Sequence, residues 1–505
     1  MQKNIQTSRS TFGIYCGICL LLLLSSSFDA ACQILEVGTG KTYDSIQAAA
    51  NDAIPGDTIL VDGGSYAGGM LIQNLEGTPE AWITIKPRSG EEVIIEGGNN
   101  SIQFSQVAYL HVIGLTATGQ RANGMNIDDG GSFDTPSHHL RIENCTFRDM
   151  GANGNNDLLK MSGIDSFWVE KCLFLNGADG GSGLDMVGCH EGFIRECRFE
   201  NMGNNGIQAK GGTQHIRIER NTFKNAGLRN INLGGSTGLA FFRPRDAPFE
   251  AADLQVYANV FIGGWAGLAY VGCTRVEVAN NTFYYPENWV FRILQETVDT
   301  NRFVSCGNNN FTNNMVVYGD VNRDVNIGAN TRPESFTIDY NLWYKPDHPD
   351  FTGPQLPVNG PSNLIQVDPL LQNPLSEDFN IDGSSPAIGN GIFIEMGLMD
   401  HDGDPYAYPP SIGAQEGLIV NTQDAVTLTD WTIFPNPFFQ SIRIKSNSGQ
   451  DNFTYQVYSS EGKRLLSGEQ NSSSKVIPLG QLKSGLYYLR LTSGNQIQTT
   501  PILKR

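Results

Sequence analysis

The sequence predicts an all-β chain: a right-handed parallel β-helix (a solenoid) followed by a small C-terminal β-sandwich. Three observations carry this reading. A six-residue pattern is rewritten along the chain as NCTFRD (144–149), KCLFLN (171–176), ECRFEN (196–201), RNTFKN (220–225), ANVFIG (258–263) and NNTFYY (280–285). Its Phe residues stand at 147, 174, 199, 223, 261 and 283, in steps of 27, 25, 24, 38 and 22, which is the period of a solenoid with one insertion. Between these turns lie short alternating runs such as HIRIERNTF, with 57 Gly in the chain and no long helical pattern. Beyond residue 431 the alternation changes character, with turn residues at Gly462 and Gly485, as in an antiparallel sandwich.

The elements follow in order. Residues 1–32 hold a basic start, the apolar run GIYCGICLLLLL (13–24) and small residues up to Cys32. That is a secretory signal peptide, too short for an anchor, so no transmembrane segment is expected in the mature protein. The β-helix is assigned to 33–345. Within 43–69 an amphipathic helical stretch precedes a turn at Pro55-Gly56 and a strand, and it would plug the open end of the first coil. The residue two before each Phe is Cys145, Cys172, Cys197, Asn221, Asn259 and Asn281. In stacked coils, about 4.8 Å apart, these form an interior ladder of thiols continued by amides, so the cysteines read as packing and not as a disulfide framework. Residues 346–420 are assigned to closing the helix, 421–430 to a polar linker and 431–505 to the sandwich.

Two resemblances rest on these motifs. The helical plug, the first coils in GTPEAWITIKPRSGEEVIIEGG (77–98) and the repeats resemble pectate-lyase-like β-helix proteins. The WTIFPNPF start (431–438), the EGK after a strand, LKSGLYYLRL (482–491) and the basic end resemble the type A sorting domain of the type IX secretion system. The second resemblance implies a partner, the type IX secretion machinery, and a secreted or outer-surface location.

Lys+Arg total 34 against Asp+Glu 52, a formal net charge of −18, which excludes non-specific nucleic-acid binding. An anionic ligand would need a local basic cluster. Aligning GLDMVGC (183–189), GIQAKGG (206–212) and GLAYVGC (267–273) turns Leu184, Ile207 and Leu268 inward. Asp185, Gln208 and Lys210 then face outward, with Val187 and Val271 flanking Lys210. A lysine in apolar company loses its proton more readily and could abstract the C5 proton of a uronate, the first step of β-elimination. The alternative is a solvated lysine pairing with Asp185.

Resemblance to alginate-lyase-type enzymes, whose catalytic Lys is followed about one coil later by an Arg, implies Lys210 and Arg229 as the catalytic pair. The place of that Arg reads INLGG (231–235), so Arg229 falls a few residues early. The insertion at 234–253 offers Phe241 and Phe242 as sugar platforms and Arg243 and Arg245 for carboxylates, with Gln208, Arg292 and Glu296 completing a substrate groove. Asp157, Asp179 and Asp185 could share a Ca²⁺ ion, which would neutralise a substrate carboxylate. The expected partner is therefore an extracellular, uronate-containing polysaccharide. A hydrolase using a carboxylate pair such as Asp179 and Asp185, and a non-catalytic glycan-binding surface protein, stand as the alternatives.

Overall fold

A computed structural model describes residues 32–417 apart from 133, and 431–505 apart from 447–451, 460–463, 473 and 494–495. The signal peptide and the linker at 421–430 lie outside the described residues.

Each coil contributes one short strand to each of three faces, and every pairing between coils is parallel. Among the described residues these faces are a fourteen-, a ten- and a twelve-stranded sheet. The register follows the repeat: Phe147 opposes Phe174, Phe174 opposes Phe199, and so on through Phe223, Phe261 and Phe283. These rings stack at 4.5–5.2 Å between centroids. The twelve-stranded sheet takes in Leu364–Ile365 next to Leu342–Tyr344, so coil-forming strands continue past 345 to residue 365.

Sharp corners require left-handed backbone. The residue before each ladder position supplies it: Asn144, Lys171, Glu196, Arg220, Ala258 and Asn280 all have φ between 52° and 55°. The ladder itself behaves as expected. Cys145, Cys172 and Cys197 are buried free thiols, and the Cys172 backbone N–H points at the Cys197 sulfur at 3.4 Å. Asn221, Asn259, Asn281 and Asn314 are fully buried, and each amide bonds the next one along the stack. Burial pushes the Cys189 thiol up to about 12, so that cysteine is packing and not a nucleophile.

The end plug is the short helix Ile46–Asp52, capped by the Ser45 hydroxyl, which accepts from Ala48 N–H; it buries Ile46, Ala49 and Ala50 against the first coils. Residues 366–417 return along the outside of the stack, where Glu377 grips Arg198 and Lys224 and Glu395 grips Arg217. Residues 431–505 form two antiparallel sheets around one core, with Ile442, Ile444 and Ile477 from one sheet and Val457, Leu489 and Ile502 from the other.

Candidate active site on the ten-stranded face

Outward side chains of the ten-stranded sheet line up coil by coil. One row reads Asn126, Lys160, Asp185, Gln208, Asn232, Ala269, Arg292 and Asn326. The next row places Val187, Lys210, Gly234 and Val271 in line. The coil 229–234 intervenes between Lys210 and Val271, so Lys210 has Gly234 as its neighbour on that side. Its stem is covered by the loop that follows: a Cβ at Gly235 would lie 3.3 Å from the Lys210 Cβ.

The Lys210 ammonium does not hang free in an apolar slot. It donates to Gln208 Oε1 at 3.0 Å and pairs with Asp185 Oδ1 at 3.1 Å. Lys160 Nζ holds the other Asp185 oxygen and lies 3.3 Å from Asp157 Oδ2. Asp185 and Asp157 are 1 % and 2 % exposed, whereas the Lys160 and Lys210 side chains keep 22 % and 13 %. Carboxylates therefore form the floor and cations the surface. Burial opposes the charge of Lys160, but Asp185 and Asp157 together hold its pKa above the ordinary lysine value.

Asp157 is pushed up to about 6 by burial and by the neighbouring charge of Asp185. Between the ordinary value of 3.8 and about 6, the folded protein keeps a proton that the unfolded chain has released. Stability contributed here falls as pH rises through that window. Asp165 acts in a different window. Burial opposes its ionisation, but hydrogen bonds from Arg243 and His190 win and hold it at about 2. Melting temperatures of the wild type and Asp157→Asn across this range should therefore diverge, the wild type losing ground as pH rises. Parallel curves would refute the assignment.

One to three coils further along the same face stands a second cluster. Arg229 donates to Asn232 Oδ1 at 2.9 Å and to Glu296 Oε1 at 2.6 Å. Arg292 donates to Asn326 and lies over the Trp289 ring, 4.2 Å from its centroid. Burial first, and the like charge of Arg229 second, hold Arg292 below its ordinary value, with Glu296 opposing. Trp265, 44 % exposed, meets Trp289 edge-on. Arg323 follows Trp289 in the outward register.

The insertion behaves differently from its expected role. Phe242 is wholly buried against Phe303, Ala247 and Phe249 and is no sugar platform. Arg243 is 9 % exposed and makes a two-pronged bond to Asp165, both contacts at 2.6 Å, with further bonds to Gly188 O and His190. It clamps the loop to the coils and does not reach for a ligand. Arg245 and Phe241 are exposed, Phe241 with its backbone oxygen near Gly211, beside Lys210. Glu250, fully buried, pins the loop by accepting from Gly211 N–H, Thr237 N–H and the Thr237 and Thr297 hydroxyls.

The three proposed metal ligands do not converge. Asp157 and Asp185 meet through Lys160, while Asp179 is exposed on a turn apart from them. Among the described residues, no group of three or more His, Cys, Asp or Glu side chains could hold a metal ion. The charge between Asp157 and Asp185 is supplied by an ammonium.

Sequence reasoning missed Lys160, Trp265, Trp289 and Arg323. Lys160 was within reach, since LLKMSG (158–163) places it in the Asp185 column once that coil is aligned.

Residues 100–283 match the family model described as "Right handed beta helix region". Residues 432–505 match the "Secretion system C-terminal sorting domain" model. The chain is thus a right-handed β-helix protein with a C-terminal sorting tail. That tail makes it cargo of the type IX secretion machinery, delivered to the cell surface or released. No helix of the described residues is long and apolar enough to cross a membrane.

Similar solved structures include pectate lyase Pel9A, at 14 % identity over 76 % of this chain and 96 % of that chain, TM-score 0.46. PL6 family alginate lyase AlyGC is 14 % identical over 81 % and 60 %, TM-score 0.38. The catalytic domain of a GH87 alpha-1,3-glucanase in complex with nigerose is 11 % identical over 61 % and 67 %, TM-score 0.33. At these values the chemistry of those proteins does not transfer. None of the curated proteins matches the chain.

Proposed function

We propose that the ten-stranded face binds an extracellular, uronate-containing polysaccharide and cleaves it by β-elimination. One observation carries the reading: in a chain of net charge −18, this face presents Lys160 and Lys210 above the buried Asp157 and Asp185, with Arg229, paired to Glu296, and Arg292 further along the same face. Such a strip attracts a polyanion that the rest of the surface repels.

Coils rise by about 4.8 Å each, so Arg229 lies one coil and Arg292 three coils from Lys210. In this reading Arg229 holds the carboxylate of the reacting sugar and Arg292 that of a neighbour. In the step itself, Lys210 Nζ removes the C5 proton. The C5–H electron pair becomes the C4=C5 double bond, the C4–O bond breaks, and the departing oxygen takes a proton from solvent. Arg229 stabilises the negative charge that gathers on the carboxylate as the proton leaves. Hydrolysis by a carboxylate pair such as Asp179 and Asp185 is the weaker reading, because Asp185 lies buried beneath Lys160 and Lys210 and does not reach the surface to meet a glycosidic oxygen.

The engagement of Lys210 by Asp185 and Gln208 favours a second reading, in which the face binds the polysaccharide without cleaving it. Mature protein incubated with alginate, pectate and glycosaminoglycans, with and without Ca²⁺, separates the two. Ultraviolet absorbance from unsaturated uronate ends is expected. Retention of a polyanion with flat absorbance throughout would establish the binder and remove the lyase.

A further inference from the structure

A second surface lies on another side of the stack, on the fourteen-stranded sheet. Along the middle of this sheet seven successive coils each carry one left-handed residue, Tyr109, His139, Ser166, Glu191, His215, Asp253 and Arg275, with φ between 49° and 56°. Two residues further along, the outward row reads Trp168, Phe193, Arg217, Gln255 and Glu277. The bulged column and this row bound an open trough of about 540 Å³ that runs across six consecutive coils, from His139 to Arg275.

Its near end is aromatic. Trp82 meets Tyr109 at 5.7 Å and Trp168 at 6.4 Å between ring centroids, and Tyr109 stacks on His139 at 4.6 Å. Trp168 and Phe193 lie in parallel planes with ring centroids 6.5 Å apart, and Phe193 is 37 % exposed. Rings thus recur about once per coil, a spacing comparable with one sugar unit of an extended chain. Ser166 and Gly192 keep the floor between them low.

The rim is acidic: Arg217 and Arg275 stand among Glu191, Asp253, Glu277, Glu219 and Glu395. His215 pairs with Glu191 at 3.0 Å, Arg275 with Asp253 at 2.7 Å, and Arg217 with Glu219 and Glu395 at 2.5 Å. These groups offer donors and acceptors to hydroxyls, and their excess of carboxylates repels an anionic chain. A polyanion or an anionic membrane finds no surplus of cations here. An extended peptide finds no strand edge either, because the backbone groups of these strands are bonded between coils.

We infer that this trough is a binding site for a neutral polysaccharide chain lying along the helix axis. It is separate from the cationic strip and independent of what that strip does. Sugar rings would pack on Trp168 and Phe193 while hydroxyls meet the polar groups of Glu191, His215, Asp253 and Arg275.

The test uses full-length mature protein in affinity electrophoresis and calorimetry, with xylan, mannan and mixed-linkage glucan as neutral probes and alginate as the acidic one. At least one neutral glycan should bind, and Trp168→Ala with Phe193→Ala should weaken it about tenfold or more. Ser166→Arg should block the trough without deleting a ring, and Arg275 in the same column shows that the backbone there accepts arginine. Alginate behaviour should not change in either variant, and circular dichroism should show the same fold. Failure of every neutral glycan to bind, or equal affinity in the blocked variant, would overturn the inference. So would sedimentation showing that the trough instead holds a second copy of the chain.

Discussion

Lys210→Ala is expected to lower turnover of a uronate polysaccharide by roughly two to four orders of magnitude, the usual contribution of a positioned general base. The structure adds a stability cost that an isolated surface lysine would not carry. Asp185 is 1 % exposed and would keep Lys160 as its one charged partner, so a loss of about 1–2 kcal/mol is expected on thermal unfolding. Lys210→Arg separates the two roles. A guanidinium can restore the pair with Asp185, and stability with it, but it cannot act as a base at working pH. The expected pattern is therefore Ala inactive and slightly destabilised, Arg inactive and stable. An Arg variant that turns over substrate normally would make Lys210 a structural counter-ion of Asp185 and place the base elsewhere on the strip.

The parts that were legible in the sequence repeat, and the parts that were not are singular. The ladder could be read because each coil restates it: Cys145, Cys172, Cys197, Asn221, Asn259 and Asn281 fall two before a stacked Phe, and the structure buries each of them. Inward and outward faces followed from alternation, as Leu184, Ile207 and Leu268 show by their complete burial. Of the two expected neighbours of Lys210, Val187 is in place, but Gly234 stands where Val271 was expected. The coil 229–234 lacks the Gly at its second position that marked the three aligned coils, and it was passed over.

The insertion failed for another reason. Nothing local in FFRPR (241–245) tells which Phe turns inward, or that Arg243 will meet an aspartate 78 residues away. Such contacts are set by how the loop folds back on the solenoid, not by its own composition. Acidic clustering misled in the same way. Asp157 and Asp185 do gather, but around Lys160, whose place in the same column makes a bound cation unnecessary for their charge balance.

The largest effect on folding should come from the amide ladder. Asn281 is fully buried; its amide donates to Val256 O, Ala279 O and Asn314 Oδ1, and its oxygen accepts from both the backbone and the side chain of Asn259. Asn281→Leu keeps the volume and removes all of these bonds. It strands the buried Asn259 N–H in the middle of the stack, so a loss of about 4 kcal/mol is expected in denaturant unfolding. Asn281→Cys should be milder, at about 2 kcal/mol, because the same column already carries cysteines whose sulfur receives the backbone N–H of the coil before, as Cys197 does for Cys172. Coils of a solenoid rest only on their neighbours, so protection from hydrogen exchange should fall first in the coils around 259, 281 and 314 and least near the end plug. If Leu and Cys prove equally costly, cavity and shape govern this corner, and the amide ladder contributes no more than its packing.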